Sequence, residues 1–324
     1  MAPTFGYHLS AEEHRPNDLV RFARRAEEAG FEYAFISDHF HPWVDAQGQS
    51  PFVWSVIGGI AGATERLRLG TGVTCPLIRV HPAIVAQAAA TCAVMMEGRF
   101  FLGVGTGENL NEHVLGDKWP TPDERLELLE EAVELMRCLW DGGMQTFRGD
   151  RYLVEQARIY TLPDEPIEIC VAAAAPRAAQ LAGKIGDSFV TTTPDPELVS
   201  TYRECGGGGP AHVKLTLLWD EDAERAKQRL HEVFPNTGAP GELTTELALP
   251  RHFEQVAEVL TPESLAEKVP CGPDPEPVVE QCREALDAGF THLYFHQVGP
   301  DQEGFFRFWE QELRPRLEQL PAAA

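Results

Sequence analysis

Apolar positions along this chain switch repeatedly between a period of two and a period near three and a half, and that alternation carries the first structural expectation. Short apolar runs of strand character fall at 4–7, 33–37, 68–73, 100–104, 167–171, 188–191, 213–218 and 291–295. Helical periodicity marks 16–29, 52–64, 81–96, 121–140, 176–184, 277–288 and 304–320. Gly, Pro or Thr separates most of these segments, and the helix at 16–29 opens on Pro16 and stops at Gly30. Glu28-Ala29-Gly30-Phe31 is echoed by Asp287-Ala288-Gly289-Phe290, each ending a helix with Gly and sending Phe into a strand. Eight strands interleaved with helices predict an α/β fold, a single (β/α)8 TIM barrel spanning 1–324. An open doubly wound sheet is the alternative, because strand order does not reveal closure.

Two segments break the rhythm. The stretch 146–154, centred on Arg148-Gly149-Asp150, reads as a β-hairpin. After the seventh strand, 234–271 is rich in Pro, Gly, Thr and Glu, with a short helix at 251–260, and reads as an insertion covering the barrel mouth. Gly206 to Gly209 is a flexible connection and not a phosphate loop, since no Lys-Ser/Thr opens a helix after it.

Composition narrows the functional class. Lys plus Arg number 27 against 50 Asp plus Glu, so 27 − 50 = −23, which argues against nucleic acid as a partner. Seven Cys, an odd number without Cys-x-x-Cys spacing, favour neither a disulfide framework nor a zinc ribbon, so no metal is expected. No run approaches the roughly 18 apolar residues of a membrane span. A cytoplasmic protein acting on a small molecule is the expectation.

The chemistry collects where strands end. Asp38-His39-Phe40-His41-Pro42-Trp43 follows the second strand, and Gly103-Val104-Gly105-Thr106-Gly107-Glu108-Asn109-Leu110-Asn111-Glu112 runs out of the fourth. In a parallel barrel both positions lie at the mouth. The imidazole of His39 suits an acid–base role. Trp43 offers a flat wall, and Glu108 a carboxyl beside Gly105, Thr106 and Gly107, where backbone can approach a flat ligand. Asn111 can both donate to and accept from a heterocycle. Leu69-Gly70-Thr71-Gly72-Val73 supplies a third wall of small residues. Val171-Ala172-Ala173-Ala174-Ala175-Pro176 supplies a fourth, opening a helix whose free amides suit a phosphate.

Taken in order, Gly6-Tyr7, Ser37-Asp38-His39-Phe40-x-Pro42-Trp43, Leu69-Gly70-Thr71-x-Val73, His81-Pro82-Ala83, Gly103-Val104-Gly105-Thr106-Gly107-Glu108-x-Leu110-Asn111-Glu112, Tyr160-x-x-Pro163 and Ala182-Gly183-x-x-Gly186-Asp187 resemble the F420-dependent glucose-6-phosphate dehydrogenases of the bacterial luciferase-like superfamily. The resemblance runs from Gly6 to about Thr192 and resumes in the last helix, strand and helix. It implies a homodimeric barrel binding the deazaflavin coenzyme F420, with a non-proline cis bond at Gly72-Val73. Carried over, His39, Trp43 and Glu108 form the catalytic group. Asp38, Thr71, Gly72, Val73, Gly105, Thr106, Gly107, Asn111, Ala173, Ala174, Ala175 and Thr191 line the coenzyme. The resemblance implies hydride transfer between a carbinol and F420.

One departure changes the substrate expectation. Where those enzymes place a phosphate-binding Lys, this chain reads Thr191-Thr192-Thr193-Pro194-Asp195, and its remaining cationic candidates are Arg251, His252, Lys268 and Arg283. A neutral alcohol or sugar is expected rather than a phosphosugar. The alternatives on the same fold are an FMN-dependent luciferase-like monooxygenase and a deazaflavin-storing binding protein.

Overall fold

The computed structural model describes residues 3–320. Eight parallel strands close into a barrel: β1 (Thr4–Leu9), β2 (Tyr33–Ile36), β3 (Arg68–Thr71), β4 (Phe100–Val104), β7 (Ile169–Ala172), β8 (Ser188–Thr191), β9 (Ala211–Leu217) and β10 (His292–Gln297). Each pairs with its neighbour in sequence, and β10 closes on β1 with Gly6 beside Tyr294. The eight strands read from the sequence are these eight, two of them with the same ends and the rest with ends within two residues. The hairpin is present as an antiparallel pair outside the barrel, β5 (Gln145–Arg148) and β6 (Leu153–Ala157).

Side chains alternate across each strand. The outward set packs under the surrounding helices as the main core, including Ala34, Ile36, Leu69, Leu102, Ile169 and Phe295. The inward set fills the barrel with Tyr33, Phe35, Phe101, Cys170, Val190 and Tyr294, and Phe35 meets Phe101 edge-on at 5.0 Å between ring centres. Small residues make room for these rings. A Cβ on Gly6 would overlap the Tyr33 ring, and one on Gly70 would overlap Phe101.

Helix boundaries follow local chemistry. Helix Pro122–Trp140 begins at Thr121, whose side chain and that of Glu124 cap each other's backbone N–H. Gly30 and Gly289, the echoed helix stops, have φ of +86° and +93°, a left-handed conformation that glycine adopts without strain. The last expected helix is not continuous: Gln302–Phe308 passes through a π turn, Trp309–Leu313, into Arg314–Leu317. Pro315 has no N–H to offer four residues back, and its ring crowds that carbonyl, so the turn widens before it. Helices Pro196–Glu204 and Ala223–Val233, passed over in the sequence, begin at the side-chain caps Asp195 and Asp222.

After β9, the segment 234–271 contains Pro235–Gly238, Leu243–Glu246, Pro250–Ala257 and Pro262–Ala266. The helix expected at 251–260 ends three residues early. The segment packs on strand-end loops: Phe253 meets Trp43 edge-on at 5.0 Å, the Glu254 carboxylate accepts from the Asp45 N–H, and the Glu246 carbonyl accepts from Asn109 Nδ2 at 3.0 Å.

Candidate active site

The loops leaving β1, β2, β3 and β4 meet at one end of the barrel. His39 Nδ1 lies 3.2 Å from the His41 carbonyl, which can only accept, so that nitrogen carries the hydrogen. The other nitrogen, Nε2, faces Glu12 Oε1 at 3.4 Å. A proton arriving at Nε2 would therefore meet a carboxylate. Glu12 is itself held by the Ser37 hydroxyl and by Ser10 Oγ at 3.2 Å. Burial pushes the Glu12 carboxyl up, yet His39 and the Ser37 hydroxyl together hold it below the ordinary carboxylate value. Trp43 stands against the His39 ring, 5.1 Å between centres.

Glu108 ends the glycine run and precedes the four-residue helix Asn109–Glu112. Its Oε2 accepts from Asn111 Nδ2 at 3.3 Å, while Asn111 Oδ1 accepts from the N–H groups of Phe40 and His41 at 2.9 and 3.2 Å. A single asparagine therefore joins the loop of His39 to the carboxyl of Glu108. Beneath them, Lys214 faces the barrel interior from β9, on the same side as His212, whose ring packs against Tyr33 and Phe35. Burial lowers the Lys214 ammonium's proton affinity, and Glu12 and Glu108 act in the opposite sense. Sequence reading missed Glu12 and Lys214. Glu12 sits in the polar run Ser10-Ala11-Glu12-Glu13-His14, where no period tells that the carboxylates of Glu12 and Glu13 are buried.

The remaining sequence candidates divide by placement. Gly72-Val73 is a cis peptide bond. Val73 and Ala172 pack on the aromatic floor, and a Cβ on Gly105 would press on both, so this wall is built of small residues in close contact. Thr106, Gly107 and Glu108 are half-buried beside it. Ala173 is buried, whereas Ala174 and Ala175 are exposed at the start of helix Pro176–Ile185, which has no side-chain cap. Asp38 and Asn111 are buried with their polar atoms taken by protein partners. Two candidates do not present side chains to a ligand. Thr71 turns outward and donates to the Gly103 carbonyl at 2.7 Å, and Thr191 is buried, its hydroxyl oxygen accepting from the Thr193 N–H at 3.3 Å. Both lie one position out of phase with the inward residues of their strands, so their hydroxyls belong to the wall.

A His–Glu pair and a second carboxyl stand beside this wall of small residues, a donor set that suits a planar redox carrier. A closed parallel barrel with acid–base side chains at the strand ends defines the class of protein. The profile described as luciferase-like monooxygenase matches residues 1–292, and the chain belongs to that family. It is 37% identical over 329 residues to the F420-dependent glucose-6-phosphate dehydrogenase of Nakamurella multipartita, covering 98% of this chain and 97% of that one. It is 37% identical over 334 residues to the enzyme of the same name from Nocardia farcinica, covering 97% and 98%. Among solved structures, an F420-dependent secondary alcohol dehydrogenase in complex with an F420-acetone adduct superimposes with a TM-score of 0.89 at 29% identity, covering 98% of this chain and 99% of that one.

Proposed function

We propose that this protein is an F420-dependent dehydrogenase that moves a hydride between a carbinol and the deazaflavin. The observation that carries the reading is the His39–Glu12 pair, joined through Asn111 to Glu108 beside a wall of small residues. The dehydrogenases at 37% identity support it over FMN-dependent oxygenation. Gly72, Val73, Gly105, Thr106, Gly107 and Ala173 would hold the ring system, and the uncapped amides at Ala174 and Ala175 an anionic tail. When bound, the coenzyme supplies a two-electron hydride acceptor with carbon in place of the flavin's N5, which disfavours oxygen chemistry.

The protein's own part is proton handling and placement. His39 Nε2 takes the substrate's hydroxyl proton as the carbinol C–H bond gives up its hydride, leaving a carbonyl. Glu12 then faces an imidazolium and stabilises it. Trp43 holds the carbinol carbon against this wall, and Glu108, held at Oε2 by Asn111, places its carboxyl on the coenzyme side. The segment 234–271, seated on Trp43 through Phe253, excludes water as a cover.

The substrate we propose is a neutral alcohol or sugar. Asp195 caps helix Pro196–Glu204, accepting from the Glu197 N–H at 2.8 Å, so an acid occupies the helix end that would otherwise welcome a phosphate. The protein's home in this reading is the cytoplasm: all seven cysteines are unpaired, and no helix among the described residues is long and apolar enough to cross a membrane. The assembly is a homodimer. Helices Val53–Ala61 and Pro82–Met95 contain no charged residue, and Phe52, Ile84, Val94 and Met95 stand exposed along them. Such a face on so acidic a chain calls for a cover of the same kind.

Loss of F420's visible absorbance with alcohols, free sugars and sugar phosphates tests the reading. Neutral alcohols or sugars should be oxidised, and His39→Ala should lower the rate by about 100-fold or more while F420 still binds. Turnover confined to sugar phosphates overturns the substrate assignment. No F420 turnover, with oxygen consumed alongside reduced FMN, overturns the function.

A further inference from the structure

Arg79, in the loop after β3, has no part in the chemistry described above, yet its guanidinium bridges two buried carboxylates from different loops. One terminal nitrogen lies 3.1 Å from Asp38 Oδ1, and Nε lies 3.3 Å from Glu112 Oε1. Its backbone N–H donates to Glu112 Oε2 at 3.0 Å, and Thr74 Oγ1 donates to Asp38 Oδ2 at 2.7 Å. The side chains of Arg79, Asp38 and Glu112 are 8%, 2% and 1% exposed. Asp38 immediately precedes His39, and Glu112 donates its N–H to the Glu108 carbonyl at 3.1 Å.

We propose that Arg79 is a positioning residue that fixes the loop of His39 relative to the short helix of Glu108. Arg79 and Asn111 act as two parallel latches between the same elements. Asn111 grips the Phe40 and His41 amides, and Arg79 grips the carboxylates that flank the reactive pair. Helix Asn109–Glu112 is a single turn that cannot hold its own orientation, so its placement must come from tertiary bonds. The planar fork reaches both acids at once, which a lysine ammonium on a flexible stem does not. Burial disfavours the charged guanidinium, but Asp38 and Glu112 outweigh it and keep Arg79 charged.

The inference rests on the proposed dehydrogenase reading, and the test separates the two. Arg79→Lys and Glu112→Gln are compared with the unmodified protein in two ways. The first is kcat per F420-bound site, with bound sites counted by fluorescence titration, which removes any unfolded fraction. Arg79→Lys should lower it about 10- to 100-fold, the scale of a misplacement near 1 Å, and Glu112→Gln should lower it in the same direction, with the F420 Kd within about threefold. The second is amide hydrogen exchange, which needs no substrate: both variants should lose protection in 37–43 and 105–112 together. Arg79→Lys within twofold of normal per bound site, or loss of protection in neither segment or only one, overturns the inference. If Arg79→Lys does not fold, Glu112→Gln decides by the same two measures. An unmodified protein that reduces F420 with no substrate sinks the functional reading, and hydrogen exchange alone then judges the latch.

Discussion

At the scale of single residues, position in a strand decides what a side chain can do. Thr71 and Thr191 have the chemistry of ligand contacts, yet they share the outward phase of Leu69 and Phe189, so their hydroxyls end on backbone partners. His39, Trp43 and Glu108 were read from the two polar runs that leave β2 and β4, and Asn111 ties those runs together. Glu12 was missed, since nothing in a polar run says that Glu12 and Glu13 will both be buried. Glu12 bears on the mechanism directly. Glu12→Gln should lower kcat by about tenfold or more while F420 binds as before, because the imidazolium at His39 loses its counter-charge. A turnover rate unchanged in that variant would remove Glu12 from the reaction.

Among the elements, the barrel strands were the easiest to read and their interior the hardest. Apolar runs of four to six residues mark strands buried on both faces. Nothing in such a run says that His212 will lie among Tyr33, Phe35 and Phe101. Burial, together with His292 and Arg68, drives its proton affinity well below the ordinary value of 6.5. The folded ring therefore binds a proton less readily than the unfolded one. Its share of stability is complete above about pH 6.5 and is lost as pH falls below that, at about 1.4 kcal/mol per unit. His292, pushed down to about 4, acts in the same sense. Thermal melts of His212→Phe across pH 7.5 to 5 should show a shallower fall than the unmodified protein, and parallel curves would refute the assignment. The short helix Asn109–Glu112, a single turn, has no period in the sequence to mark its bounds.

For the whole molecule, the proposed dimer places a charge-free surface against its copy. Ile84→Glu should shift the protein toward monomer in sedimentation, because a carboxylate would be buried without a partner. A dimer untouched by that change would move the interface elsewhere. What the sequence determined by itself was the order of strands and helices, the glycine-ended turns and the two polar runs at strand ends, because each depends on neighbours within a few positions. Closure, phase and pairing were decided by the tertiary structure alone. Whether β10 meets β1, whether Thr71 faces in or out, and whether Arg79 reaches both Asp38 and Glu112 depend on residues tens to hundreds of positions apart. A side chain's partner across a barrel is fixed by register and twist, which no local pattern records.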